Sequence, residues 1–315
     1  SLPPINRFEG AILGAACGDA LGAWTEDLTP SAIRARFKGR VSDFPNLKHP
    51  YLRKNGTYLF TDDTQLTLCV ASSLIEKTGF NAQDLAAKFV SWSTSPDNFR
   101  TPSRTFMRAA RLLQTADLEG QTGIPSTCGA GAARTVPVGL YYATNSSLCA
   151  KTAAQIASLT HADPCAEAAA AAVALIVAEL AKGTEPEAVV QTIMEPIRKI
   201  SSTFADSLMI VESCSALDEE AAFNCLGRGV SAAEIITSAL YCILVHPKDF
   251  KSAVLTAVNG GGKADSIASV AGAFSGSYLG VGAIPDEWLQ AIEAKEELQK
   301  TAHGLFDLAK ELANS

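Results

Sequence analysis

Two adjacent carboxylates, Asp62 and Asp63, follow Thr61 and precede an apolar segment with helical periodicity. The threonine hydroxyl and the two carboxylates supply three oxygen donors, which is the donor type that Mg2+ prefers. The same residues also have a purely local interpretation. Asp62 with Gln65 fits a capping box, and acids at a helix N-terminus suit the helix dipole. The pattern therefore predicts either a helix cap or a hard-cation site.

A glycine-rich turn precedes a second apolar helix late in the chain. Gly261 and Gly262 lead through Lys263 to Asp265 and Ser266. Glycines let backbone approach a ligand closely, and a helix start offers N–H groups to an anion. Asp265 and Ser266 add oxygen donors, although Asp265 could instead cap the turn. Lys263 opposes the helix dipole, so we expect it to pair with a nearby acid such as Asp265, to contact a phosphate, or to point into solvent.

The N-terminal segment combines small residues with isolated acids. Gly14, Gly18 and Gly22 recur every four positions, which would let another helix pack closely on that face. Asp19 and Glu26 are acids in an otherwise apolar stretch. Because Glu26 lies beyond Gly22, we expect it in a loop from which it could reach into a cleft.

A fourth cluster joins two separate segments. Ser126, Thr127 and Gly129 belong to a run of small and polar residues, and His161 lies just before a helix start at Pro164. The glycine spacing at 129–131 does not indicate a dinucleotide-binding fold, because no strand precedes it. A lone histidine is more often structural than functional, so His161 by itself indicates little.

Helical periodicity dominates the elements that must position these residues, and alternating strands are scarce. Asn81, Ser231 and Asp286 are candidate N-caps. A β-hairpin stays possible within 38–60. We predict one compact all-α domain over 5–313, with irregular loops near 24–60, 95–102, 116–128 and 259–264, and with helices over 5–22, 63–78, 82–94, 102–115, 129–144, 149–159, 164–182, 186–199, 204–214, 219–224, 231–244, 248–258, 264–280, 286–294 and 296–313.

Composition excludes several classes of protein. Of the 315 residues, 47% are hydrophobic, so the chain is not disordered, and its net charge of -7 argues against binding a nucleic-acid duplex. The eight cysteines form no CxxC pair, which favours free thiols in a reducing, cytoplasmic setting. The start of the chain has no secretory pattern. The apolar run 166–178 is too short to span a membrane, and we interpret it as a buried core helix.

Together these motifs resemble the ADP-ribosylglycohydrolase family. The matching residues are GAxxGDALGAxxE over 14–26, TDDT over 61–64, the small-residue run that ends at Arg134, THxxP over 160–164, and the glycine-rich Asp-Ser helix start over 261–266. They follow the family's order across nearly the whole chain. The resemblance implies an all-helical orthogonal fold and hydrolysis of the bond between ADP-ribose C1'' and an acceptor.

The resemblance also implies roles for individual residues. The expected cofactor is one or two Mg2+ (or Mn2+) ions, held by Thr61, Asp62, Asp63, Asp265 and Ser266. Glu26 would lie near the scissile bond, and Asp62, Asp63 or Glu26 would take a proton from the attacking water. The expected substrate contains ADP-ribose, either on a protein Arg or Ser side chain or in a small metabolite, and its predicted contacts are Ser126, Thr127, Gly129, His161, Gly261, Gly262 and Lys263.

The chain departs from the family pattern at Lys263. The late motif should read GGDxD followed by Thr or Ser, and Lys263 stands where the first Asp belongs. A protonated ammonium cannot ligate a cation. We therefore expect Lys263 to replace one ion electrostatically, leaving at most one Mg2+. The alternative is a catalytically silent ADP-ribose binder. Cys128-Gly129, where some members have Gly-Asn, and Asp163, where many have His, are further departures.

Overall fold

The computed structural model describes residues 1–115, 117–118, 122–229 and 231–315. Its first half contains one two-stranded antiparallel sheet, β1 (Arg53–Lys54) and β2 (Thr57–Tyr58), in which Arg53 pairs with Tyr58. The helices of this half are α1 (Ile5–Gly22), α2 (Pro30–Arg36), α3 (Asp62–Lys77), α4 (Ala82–Ser93), α5 (Arg104–Leu113), α6 (Ala130–Ala133), α7 (Val136–Tyr141), α8 (Ser146–Ser158) and α9 (Pro164–Lys182).

In the second half, every regular element among the described residues is helical. A 3-10 turn occupies Val281–Ala283 there, and another occupies Pro96–Phe99 in the first half. The remaining helices are α10 (Pro186–Ile200), α11 (Ser202–Met209), α12 (Val211–Cys214), α13 (Glu219–Leu226), α14 (Ala232–Val245), α15 (Phe250–Gly260), α16 (Ala264–Leu279), α17 (Asp286–Ala291) and α18 (Lys295–Ala313). The predicted all-α fold is confirmed.

Helices α1 and α16 pack against each other through their backbones in the core. A Cβ added to Gly14 would lie 2.4 Å from the carbonyl oxygen of Gly272, and one added to Gly18 would lie 2.0 Å from that of Ala268. A Cβ on Gly22 would lie 2.3 Å from the oxygen of Ala264. The backbones therefore touch directly, as the four-residue glycine spacing predicts. This contact fixes where Asp19 of α1 lies relative to the start of α16.

Helix α9 crosses the core. Among the described residues it is the one helix long and apolar enough to cross a membrane by length and composition, and 78% of its apolar window is buried inside the protein. The expectation that the apolar run is too short was wrong, because the helix has 19 residues. Its burial supports the predicted core helix.

Several boundaries differ from the prediction for local reasons. Helix α2 lies where a loop was expected, and it begins where the Thr29 hydroxyl accepts a hydrogen bond from the Ala32 N–H. The helix predicted over 129–144 is divided into α6 and α7, because Pro137 has no N–H to continue the ladder. The helix predicted over 204–214 is divided into α11 and α12. Residues 116 and 119–121 of the predicted loop 116–128 lie outside the described ranges.

The predicted N-caps have mixed outcomes. The Asn81 side chain accepts a hydrogen bond from the Asp84 N–H. Ser231 forms a full capping box with Glu234. The third cap was wrong, because Asp286 is already the first residue of α17 and the preceding residue is Pro285.

Candidate active site

Asp19 holds the start of α3. Its Oδ1 accepts a 2.6 Å hydrogen bond from the Thr61 hydroxyl. Its Oδ2 accepts from the Thr61 N–H at 3.0 Å, the Thr64 N–H at 3.1 Å and the Thr64 hydroxyl at 2.6 Å. Asp19 is fully buried. Burial and the charge of Asp63 raise the pKa of Asp19 to about 7, despite the hydrogen bonds that lower it.

The two predicted acidic motifs meet beside Asp19. Carboxylate oxygens of Asp19, Asp63 and Asp265 all lie within 4.8 Å of one another, and all three residues are buried. The Ser266 hydroxyl donates a 2.6 Å hydrogen bond to Asp63 Oδ2. Asp265 Oδ1 is buried and has no hydrogen-bond partner among the described residues. A buried, unpartnered carboxylate oxygen is costly unless something binds it, and an oxygen-only cluster is what a hard cation prefers.

Asp62 occupies a distinct position in the same cluster. It is buried but is not one of the three carboxylates that converge most closely. Burial, followed by the charges of Asp63, Asp265 and Asp19, raises the pKa of Asp62 well above its ordinary value, and Arg134 opposes this shift. A capping box between Asp62 and Gln65 was wrong, since the side chain that caps α3 is that of Thr61.

Lys263 is paired with Glu26. Lys263 Nζ donates to Glu26 Oε1 at 2.8 Å, and the two side chains are 23% and 18% exposed. Burial lowers the pKa of Lys263, but the charges of Asp265, Glu26 and Asp63 outweigh it and raise the pKa, so Lys263 carries its proton. Burial raises the pKa of Glu26, and Lys263 opposes this. Of the three alternatives for Lys263, the structure has the pairing with an acid, and the partner is Glu26.

The glycine turn before α16 is packed between two backbone segments. Gly261 and Gly262 have φ values of +69° and +58°. A Cβ at these positions would lie 1.9 Å from the Leu28 oxygen and 2.0 Å from the Arg228 oxygen. The Gly262 N–H donates to Leu28 and the Lys263 N–H donates to Arg228. These two N–H groups are therefore not free for an anion in this conformation, and substrate contact by the glycines stays a prediction.

Three of the residues predicted to contact the substrate, Ser126, Thr127 and Gly129, have different surroundings. The Ser126 hydroxyl accepts a hydrogen bond from the Cys128 N–H at 3.2 Å. Thr127 is exposed, and its carbonyl accepts from the Ala232 N–H at 2.7 Å. Gly129 is buried, and a Cβ there would lie 2.4 Å from the Ile235 side chain. A larger residue at position 129 would require the Ile235 side chain to move, and this steric reason for a glycine needs no ligand.

His161 and Arg134 are both buried and both contact the Thr160 hydroxyl. His161 Nδ1 lies 2.7 Å from the Thr160 hydroxyl, while Nε2 has no partner among the described residues. Burial and the charge of Arg134 lower the pKa of His161 to about 3. The Arg134 guanidinium lies between the rings of Phe89 and Phe106, 5.4 Å and 4.9 Å from their centroids. It offers positive charge to Asp62 and Asp63.

An ion pair that sequence reasoning missed supports the segment before α3. Glu293 accepts from the Phe60 N–H at 3.1 Å, and Arg100, which is paired with Glu293, donates to the Phe60 carbonyl at 2.7 Å. The Arg100 carbonyl accepts from the Asp62 N–H at 3.3 Å. The two side chains thus hold the backbone that presents Thr61 and Asp62. No local signal marks them, since they are 193 positions apart.

Comparison with known proteins decides the family. A family model described as ADP-ribosylglycohydrolase matches residues 2–314. The chain belongs to the ADP-ribosylglycohydrolase family. It is 31% identical over 303 residues to an uncharacterized protein of Archaeoglobus fulgidus, covering 96% of this chain and 97% of that one. It is 27% identical to the ADP-ribosylhydrolase ARH3 of Gallus gallus, covering 98% and 95%.

Two further relatives agree. The chain is 26% identical to the ADP-ribosylarginine hydrolase Tri1 of Pseudomonas putida, covering 98% of this chain and 80% of Tri1. A solved structure titled ADP-ribosylglycohydrolase-related protein complex has a TM-score of 0.73 at 26% identity and covers 97% of this chain and 98% of its own. This member of the ADP-ribosylglycohydrolase family is therefore a hydrolase that acts on glycosyl bonds.

The acidic cluster is assembled from three helices that are distant in sequence. The structure brings Asp63 of α3 to Asp265 and Ser266 of α16, and a carboxylate oxygen of Asp19 of α1 lies within 4.8 Å of those of Asp63 and Asp265. Sequence reasoning missed Asp19 as a site residue. Its signal was a single carboxylate within residues 10–22 of α1, which are otherwise apolar or small.

Proposed function

We propose that this protein is a cation-dependent ADP-ribosyl glycohydrolase that cleaves the bond between ADP-ribose C1'' and an acceptor. The acceptor would be a protein Arg or Ser side chain, or part of a small ADP-ribosyl metabolite. Family membership supports the reaction class. The observation that carries the cation dependence is the buried, unpartnered Asp265 Oδ1 beside Asp63 and Asp19.

The donor set fits Mg2+ or Mn2+. We assign Thr61, Asp62, Asp63, Asp265 and Ser266 as the ligands. The Thr61 and Ser266 hydroxyls both donate their protons to carboxylates, and this leaves oxygen lone pairs for a cation. When bound, such an ion supplies Lewis-acid activation of water and orients the ribose hydroxyls.

Charge balance favours a single divalent ion. The group consists of five carboxylates and two cations, Arg134 and Lys263. When all are ionised, it carries a net charge of -3, and the carboxylates are those of Asp19, Glu26, Asp62, Asp63 and Asp265. One divalent ion reduces this net charge to -1. With the family's Asp at position 263 the same group would carry -5, and two divalent ions would again leave -1. Lys263 in place of that Asp thus changes the charge of the group by +2, which equals the charge that a second divalent ion would bring.

The chain's own residues divide the remaining chemistry. Asp62, Asp63 or Glu26 would take a proton from water, and burial, which raises the pKa of Asp62, makes that carboxylate a stronger base. Glu26 is tied to Lys263 and would act on charge near C1'' rather than as the main base. Neighbouring carboxylates would stabilise an oxocarbenium-like transition state.

We also assign substrate contact to Ser126, Thr127, Gly129 and His161, and to Gly261, Gly262 and Lys263 at the second motif. These assignments rest on the family motif. The bounds 5–313 for the catalytic domain are likewise a proposal. A cytoplasmic location is proposed on the eight free cysteines.

The deciding experiment measures release of free ADP-ribose from Arg-linked and Ser-linked substrates, with Mg2+ and with a chelator. We expect cation-dependent release from one of them. ADP-ribose binding without release from either substrate would favour the catalytically silent binder instead.

Cation stoichiometry tests the role of Lys263 separately. Calorimetric titration with Mn2+ should give one ion per chain, and the Lys263→Asp variant should bind two. The Lys263→Met variant removes the charge without adding a ligand, and it should still bind one ion. Two ions in the unaltered protein would contradict the charge argument even if catalysis is found.

A further inference from the structure

Two thiols that the hydrolase site does not use are in direct contact. Cys214 ends α12 and Cys225 lies near the end of α13, and their sulfur atoms are 3.4 Å apart. Cys214 is buried at 3% exposure, whereas Cys225 is exposed. Both are free thiols. One accessible and one sheltered thiol side by side is an arrangement suited to thiol–disulfide exchange.

We propose that Cys214 and Cys225 form a modification site, an intramolecular disulfide made by exchange with a small-molecule disulfide such as oxidised glutathione. The Cys225 thiolate attacks one sulfur of the reagent, forming a mixed disulfide and releasing one thiolate. The Cys214 thiolate then attacks Cys225 Sγ and releases the second. The two cysteines lose two protons and two electrons, and the reagent becomes two thiols.

Exposure and burial set the order of these steps. A reagent in solvent reaches Cys225 first, because its side chain is exposed. Cys214 is buried, and burial raises the pKa of its thiol, so it reacts slowly with dissolved reagents. Once Cys225 carries the mixed disulfide, Cys214 can attack it because the two sulfur atoms are adjacent, even though the Cys214 thiol is a poor nucleophile toward dissolved reagents. The sulfur atoms need to approach by about 1.4 Å, since they are 3.4 Å apart and a disulfide bond is about 2.0 Å long.

The neighbouring helices can accommodate this movement. Helix α12 is a single turn, Val211–Cys214, and it is followed by a connection whose residues Ala216, Leu217 and Asp218 are exposed. Helix α13 ends at Leu226, and the carbonyl of Arg228, two residues later, accepts the Lys263 N–H at 2.8 Å. The disulfide would therefore tether a segment that supports the turn carrying Lys263.

The test is incubation of the folded full chain with oxidised glutathione, followed by intact mass and peptide mapping without reduction. We expect the mass to fall by two hydrogen atoms and a Cys214–Cys225 cross-linked peptide to appear. The Cys214→Ser variant should instead keep a glutathione adduct on Cys225. The Cys225→Ser variant should gain neither.

Cys165→Ser is the matched control, because Cys165 is a partly buried thiol 3.5 Å from the Ser201 hydroxyl rather than from another thiol. It should cross-link like the unaltered protein. The oxidised protein should also melt at a higher temperature than its reduced form, because a cross-link restricts the unfolded chain. A persistent glutathione adduct on Cys225 in the unaltered chain, or a cross-link between other cysteines, would overturn the proposal.

Discussion

Asp19 and Asp265 are two buried aspartates of one cluster, and their helices are in backbone contact. The two carboxylates differ in the hydrogen bonds that their oxygens accept. Asp19 accepts four hydrogen bonds from Thr61 and Thr64. Asp265 Oδ1 accepts none from the described residues. Burial raises the pKa of both carboxyl groups. The contrast indicates that Asp19 serves mainly to hold α3 and that Asp265 is open to a ligand.

The largest expected effect follows from removing the open carboxylate. Asp265→Asn should lower turnover about 100-fold or more, because it removes charge from a preorganised electrostatic site. Its Mn2+ affinity should fall as well, while the cation-free protein should lose no stability. Activity assays, Mn2+ titration and urea unfolding measure the three. Unchanged turnover would show that Asp265 is not a ligand.

The reverse pattern is expected for the saturated carboxylate. Asp19→Asn should cost about 3 kcal/mol in the free energy of unfolding, since an amide nitrogen cannot accept the hydrogen bonds of Thr61 and Thr64. Urea unfolding without cation measures this cost. Thr64→Val, which removes one donor, should cost about 1 kcal/mol. If the Asp19→Asn variant were as stable as the unaltered chain, Asp19 would not serve mainly to hold α3.

His161 adds a third buried group to the comparison and, like Asp265, it has an atom without a partner among the described residues. Its pKa falls from 6.5 to about 3 in the folded protein, so only the unfolded chain takes up the proton on mild acidification. Stability should therefore fall by about 2 kcal/mol between pH 7 and pH 5 on account of this residue alone. The His161→Gln variant should lose about that much less over the same interval in urea unfolding. Equal losses in both proteins would mean that His161 is protonated when folded.

The smallest effect is expected at the ion pair that supports the segment before α3. Arg100→Lys or Glu293→Gln should weaken Mn2+ binding about 5-fold, which corresponds to about 1 kcal/mol, because the backbone that presents Thr61 and Asp62 is held less firmly. Arg198→Lys, which alters the exposed pair with Asp206, is the matched control and should leave the affinity unchanged. An equal loss of Mn2+ affinity after changes in both ion pairs would show that Arg100 and Glu293 do not position the site.

Local sequence patterns predicted the secondary-structure elements better than they predicted the contacts between residues distant in sequence. The periodicity of α1, α9 and α16 and the four-residue glycine spacing follow from side chains close in sequence, and these predictions are confirmed. The short helix α2 and the break before Pro137 were missed, because single residues decide them. The oxygen-rich motifs were identified, since Thr61, Asp62 and Asp63 are adjacent.

The partners of the site residues could not be predicted. Lys263 pairs with Glu26 from 237 positions away, and the nearer acid Asp265 had seemed the natural choice. Asp19 was noted only as an acid in an apolar stretch, because its four donors belong to a segment some forty positions later. Such pairings depend on the packing of α1, α3 and α16, which a local pattern does not contain.

The direct backbone contact of α1 with α16 limits how this enzyme can be redesigned. Gly14 and Gly18 face the backbone carbonyl oxygens of Gly272 and Ala268, and a side-chain exchange on α16 cannot remove those oxygens. A methyl group added on either helix has no compensating substitution on the other. Directed evolution toward a new acceptor should therefore find nearly no accepted changes along this contact, and its productive changes should gather in the loops around the site.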